Sequence, residues 1–148
     1  MTAETMTPAA ARTPWWYWLV AVLSLAWNSF GGFDYTMSHL QGEAYYRQMG
    51  MSEAVIAFMN TYPSWMHAVW AVGVWGSVLG AVLLVLRSKW ALHAFAVSIL
   101  GAIGNLLYTA TTPAAAGVMG IEMPLVIIAI CAFFIWYARA MTKRGVLR

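Results

Sequence analysis

Charge is what this chain has least of. Only 9% of its 148 residues are Asp, Glu, Lys or Arg, against 62% hydrophobic residues. A water-soluble domain of this size carries about a quarter charged residues. A surface so poor in polar side chains would not keep a folded chain dispersed in water. The net charge of +3 is no sign of a nucleic-acid partner, because the basic residues stand at the ends of apolar runs. Cysteine is nearly absent too. The single Cys131 lies inside an apolar run, so no intrachain disulfide is possible and the thiol is expected to stay protonated and inert. There is no Gly-rich phosphate loop, no nucleophile elbow, and no pair of histidines flanking a carboxylate on one helix face. These absences argue against an enzyme, and no cofactor motif stands in their place.

What the chain has in quantity is long apolar runs rich in tryptophan. A membrane-crossing helix needs about 20 mostly apolar residues. Four segments qualify, 15–33, 65–86, 90–110 and 122–140, so the predicted fold class is all-α, a four-transmembrane-helix bundle over residues 15–140. Residues 1–14 read as a disordered cytoplasmic tail and 141–148 as a basic one. The run from Trp15 to Phe30 is crowded with Trp and Tyr and lacks a small-residue cleavage site, so it reads as a retained helix rather than a signal peptide.

With four spans both termini share a side, and the basic residues test that layout. Arg12, Arg87, Lys89, Arg139, Lys143, Arg144 and Arg148 fall on the side of the termini; only Arg47 falls on the other. The positive-inside rule then makes the termini cytoplasmic and the 34–64 loop periplasmic. Tryptophans agree, with Trp15, Trp16, Trp18, Trp90 and Trp136 at the inner interface and Trp27 and Trp65 near the outer one. Within the loop, "SEAVIAFMNTYP" offers Ser52 as N-cap and Glu53 in the first turn. Val55, Phe58, Met59 and Tyr62 share a face at helical spacing, which predicts a short amphipathic helix. "GEAYYRQMG" before it is a weaker helical turn.

Gly73, Gly76 and Gly80 recur three and four residues apart in the second span. Ser98, Gly101, Gly104 and Asn105 answer them in the third. Small residues at this spacing let helix backbones approach where lipid supplies no drive for association. The stripe is expected to pack these two spans together, with a homodimer seam as its competitor.

The stretches "WNSFGGFDYTM", "AYYRQM", "YPSWMHAVWAVGVWGSVLGAVLLVLRS" and "FAVSILG" resemble a group of short bacterial inner-membrane proteins that share an aromatic-Asn-Gly-Asp-Tyr-Met signature. The likeness covers most of residues 27–108. It implies the bacterial inner membrane and a four-span layout. Some members carry a sugar-transporter label, but the group has no established activity and brings no binding residues with it.

The polar residues inside the apolar segments are the candidate site. Asn28, Asp34, Tyr35, His67, Asn105, Tyr108 and Glu122 all map to the outer leaflet and come from all four spans. Intramembrane polar side chains are costly and tend to face the bundle interior. A periplasm-facing pocket for a small molecule of unknown identity is expected, with helix capping by Asn28 and Asp34 as the plainer reading. Haem is excluded for this chain alone, because His67 and His93 stand roughly 24 Å apart along the membrane normal. Copper is a weaker alternative, on Met37, His39, Met49, Met51, Met59, Met66, His67, Met119 and Met123. Two functions follow as expectations: small-solute binding or transport by an oligomer, or a non-catalytic accessory subunit of a larger membrane complex. The lipid bilayer is the one partner common to both.

Overall fold

The computed structural model describes residues 12–148, so the predicted polar tail lies outside the described residues except for positions 12–14. The described residues form helices and no strand. In chain order they are α1 (Trp15–Gln41), α2 (Glu43–Gln48), α3 (Glu53–Asn60), α4 (Ser64–Val85), α5 (Ala91–Thr111) and α6 (Glu122–Lys143), with a single 3-10 turn at Pro113–Ala115. Three of these helices, α4, α5 and α6, are long and apolar enough to cross a membrane. The fourth predicted span is not among them. α1 is the longest helix, but Ser24, Asn28, Ser29, Asp34 and Thr36 dilute its apolar run.

α1 also corrects the predicted boundary at residue 33. The helix runs unbroken through Gly31 and Gly32 to Gln41, so the connecting segment starts at Gly42 rather than at Asp34. Gly32 does not loosen the turn, because it seats α1 on Val78 and Trp75 of α4, and the Thr36 hydroxyl donates to its carbonyl. The stop comes at Gly42, whose φ of 53° suits glycine and whose N–H closes on Ser38 O. Asn28 therefore stands in the middle of α1, not at its end.

The 42–63 segment holds the two short helices that the sequence suggests, although α3 buries Ile56 with Phe58 rather than Val55 and ends at Asn60, before Tyr62. Ser52 Oγ accepts from the Val55 N–H and caps α3, while Arg47 of α2 bridges Glu43 and Glu53. Its guanidinium holds the exposed Glu53 carboxyl below the usual range. Buried Tyr45, Tyr46 and Ile56 then pack together beneath the two short helices.

α4 and α5 make the closest helix contact in the molecule. A Cβ on Gly101 would lie 2.5 Å from the Gly73 nitrogen and 2.9 Å from Val69 O, and one on Gly76 would lie 3.2 Å from the Ser98 backbone. Gly80 leaves room for the Phe95 ring, and Ser98 Oγ donates to Gly73 O at 2.5 Å. Gly104 faces Val69. The glycine stripe is thus spent within the chain and presents no free dimer seam.

α1 rests on α4, and α6 on α5. At the end that holds the start of α1 and the C-terminal residues, α1 and α6 also meet. Trp16 and Tyr17 pack on Tyr137, Arg144 lies over Trp16, and the Tyr17 hydroxyl donates to Leu84 O. The last residues are not the free basic tail expected. Val146 and Leu147 are buried, and the Arg148 backbone pairs with Arg87 and Lys89 on both sides of the α4–α5 turn. Arg87 itself takes a φ of 57°, rare for a residue with a side chain, where the Ser88 N–H closes the end of α4 on Leu83 O. Apolar residues at 146 and 147 explain the docking, since they complete the core around Tyr17, Leu84 and Met141.

The close α4–α5 contact makes a clear contrast. Gly101→Val drives a branched side chain into the α4 backbone and is expected to cost more than about 3 kcal/mol. Gly31→Ala meets nothing within 4 Å and is expected to gain roughly 0.5–1 kcal/mol from helix propensity. Unfolding of the purified variants in detergent measures both.

Candidate functional site

Beyond the aromatic contact at the terminal end, α1 and α6 part, and a cavity of about 400 Å³ occupies the gap. α4 and α5 form its back wall. Its polar lining is Asn28 and Asp34 from α1, Ser77 from α4, Ser98 and Asn105 from α5, and the Cys131 thiol from α6. The rest is mainly apolar, with Trp27, Phe30, Val74 and Ile127 among the walls.

Each polar group is held in a defined state. Asn28 is buried, and its amide nitrogen donates to Ser24 O at 2.7 Å, back into its own helix. Ser77 Oγ likewise donates to Val74 O, and Ser98 Oγ to Gly73 O. Cys131 Sγ lies 3.9 Å from Ser98 Oγ. Serine and asparagine side chains can turn back onto helix carbonyls in this way, which removes the cost of an unpaired polar atom in an apolar setting.

Asp34 behaves differently. One carboxylate oxygen accepts from the Tyr45 hydroxyl at 2.9 Å. Among the described residues no cation pairs with it and its second oxygen has no partner. Burial, and then Asp34 beside it, push the Tyr45 phenol above the usual tyrosine range. The Asn105 side chain likewise has no hydrogen-bond partner among the described residues, while its carbonyl receives Thr109. Within the cavity, Asp34 and Asn105 therefore keep the most unused hydrogen-bonding capacity.

The seven expected site residues divide into groups. Asn28, Asp34 and Asn105 share the cavity. Tyr35 and His67 do not line it; they stack with His39 and Trp70, where the two imidazole centroids lie 5.1 Å apart. Tyr108 belongs to a third cluster, with Phe58, Tyr62 and Trp65 beneath α3. Glu122 is exposed in the first turn of α6 and lines nothing. The methionines disperse in the same way: Met49 and Met123 reach the cavity, Met37 and Met51 pack on the Tyr45–Tyr46 cluster, and Met66 and Met119 join the Phe58 cluster. No group of three His, Cys, Asp or Glu side chains could hold a metal among the described residues.

Ser77, Ser98 and Cys131 line the cavity without having been foreseen as site residues, and Ser24 holds Asn28 from behind. The available signal was spacing, since Ser24 stands four before Asn28 and Ser77 four after Gly73. Compared with family models, curated proteins and solved structures, the chain matches none.

Tyr45→Phe leaves the Asp34 carboxylate without its donor and is expected to cost about 1–2 kcal/mol. Tyr45's raised pKa contributes stability fully below the ordinary tyrosine range, lost as pH rises through it. Asp34→Asn is expected to move the Tyr45 ring titration downward, read by NMR of ring-labelled tyrosine assigned with the Phe variant.

Proposed function

We propose that this chain is a four-span protein of the bacterial inner membrane, with cytoplasmic termini, that binds a small molecule in the α1–α6 cavity and handles it as an oligomer. The cavity itself carries the reading. Its volume of about 400 Å³ falls in the range of ligand pockets, roughly 300–1,000 Å³. Its walls are mainly apolar, with a few convergent polar groups, the usual make-up of such a site. A carboxylate and a carboxamide with unused hydrogen-bonding capacity are what a bound molecule would engage.

Two features support counting α1 as a span. Its 27 residues reach about 40 Å at helical rise, enough to cross the hydrocarbon core. Leu19, Val22, Leu23 and Phe33 of α1 do not line the cavity and are exposed, as lipid-facing residues are. Orientation is supported by charge. Arg87, Lys89, Arg144 and Arg148 gather with the start of α1 at one end, whereas Arg47 at the other is neutralised by Glu43 and Glu53. The accessory-subunit reading keeps the missing catalytic signature as a motive but is less favoured, because the glycine stripe that would dock a partner packs on α5. Four helices rarely enclose a transport pathway alone, so handling across the membrane requires more than one copy.

Two measurements test the reading. A thiol placed at Ser88 is expected to react with an impermeant reagent only in inverted vesicles, and one at Ser52 only in intact cells; the reverse would overturn the orientation. A ligand screen by thermal shift is expected to find a compound that stabilises the wild type and loses most of that effect in Asp34→Asn with Asn105→Leu. Absence of any response, together with unchanged uptake profiles, would remove the binding function.

A further inference from the structure

The free hydrogen-bonding groups of the cavity are sorted by depth. α1 and α4 run antiparallel, with Gly32 packed on Val78 and Tyr35 on Trp70. Asn28 therefore sits deep, level with the Ser77 region, while Asp34 sits toward the α2–α3 end. The deep groups are largely spent: the Asn28 amide nitrogen on Ser24 O, Ser77 on Val74 O, Ser98 on Gly73 O. Their donors are thus engaged, while the Asn28 side-chain carbonyl and the two serine oxygens can still accept. The open capacity, Asp34 and Asn105, stands at the outer end beside Met49 and Met123.

The doorway is lateral. Trp27 and Phe30 on α1 and Met123 and Ile127 on α6 line the cavity and are nevertheless exposed, by 43, 60, 61 and 39%. The gap thus opens between the two helices, sideways. Its inner end is closed by Trp16, Tyr17 and Tyr137. In a membrane such an opening faces lipid. Charge narrows the occupant further, because no Lys, Arg or His lines the cavity while Asp34 does.

From this we infer that the cavity takes a membrane-dissolved amphiphile whose head is uncharged or cationic and donates hydrogen bonds, entering between α1 and α6. This rests on the cavity being the ligand site proposed above, and names what it binds. A polyol's hydroxyl oxygens would find no free hydroxyl or amide donor in the deep half and would lie mainly against apolar wall, at a cost for each one left unpaired. An anionic head would meet the Asp34 carboxylate with no cation between them. An apolar tail among Trp27, Phe30, Val74 and Ile127, with an amine or hydroxyl donating to Asp34 and Asn105, satisfies both ends.

The test uses the full chain in lipid nanodiscs, with dodecylamine, 1-dodecanol, dodecanoate and glucose as probes, read by thermal shift and by native mass spectrometry. Dodecylamine, and less strongly dodecanol, are expected to stabilise and to appear as bound mass, with dodecanoate weaker than the amine by at least about tenfold. Gly31→Leu should abolish both amphiphile effects, because residue 31 lines the cavity and a Cβ there meets nothing within 4 Å; an unchanged helical circular dichroism spectrum and melting point without probe separate loss of binding from loss of fold. Asp34→Asn should erase the preference for amine over alcohol while dodecanol still binds. Equal binding of dodecanoate, or amphiphile binding unchanged in Gly31→Leu, would overturn the assignment. A response to glucose alone would overturn it while leaving the cavity a ligand site. A copy-to-copy interface covering the gap, with no amphiphile bound, would also overturn it, and no response to any probe would do the same.

Discussion

The backbone contact between Gly73 and Gly101 is the constraint on which the remaining architecture depends. With no side chain between them, α4 and α5 approach closely enough for Ser98 to reach the Gly73 carbonyl and for Phe95 to lie over Gly80. In lipid the gain from such a contact is dispersion and hydrogen bonding rather than removal of apolar surface from water. The pair forms a thin, rigid wall. α1 and α6 lean on opposite ends of that wall, and they touch only where Trp16, Tyr17 and Tyr137 are large enough to span the distance. Away from that contact the two helices part, and Trp27, Phe30 and Ile127 line the cavity between them.

Polar side chains at depth follow the same economy. Ser24, Ser77 and Ser98 are buried, yet each finds its partner within its own helix or the adjoining one. Asp34 finds Tyr45, a residue of the connecting segment, so the α2–α3 unit is tied to the cavity mouth through one hydrogen bond. Changes in that unit would be felt at the carboxylate. A segment clamped by Arg47 between Glu43 and Glu53 is therefore part of the site's surroundings and not only a surface feature.

Much of this was legible in the residues. Apolar run lengths locate α4, α5 and α6 to within a few positions, Ser52 marks the start of α3, and the Gly73-Gly76-Gly80 spacing points to the α4–α5 contact. The end of α1 was not legible. Two adjacent glycines ordinarily weaken a helix, and only the packing of Gly32 on Trp75 and Val78 shows why this one continues. The docking of Val146 and Leu147 was hidden by the basic residues around them. Depth alone grouped His67, Tyr108 and Glu122 with Asn28 and Asp34, but depth says nothing of azimuth: residues at one level on four helices face different neighbours. Asn105 was the exception, because its spacing from Ser98 and Gly101 already fixed its face.

The most direct test of this account is the shape of the gap between α1 and α6. Spin labels on exposed positions, after Cys131→Ser, give two distances by pulsed dipolar spectroscopy: Trp18→Cys with Trp136→Cys at the inner end, and Phe33→Cys with Leu125→Cys at the outer end. The account predicts a clearly longer outer distance, and one that narrows or sharpens when the cavity is filled. An outer distance equal to or shorter than the inner one would mean that the helices close on each other and that no cavity exists there.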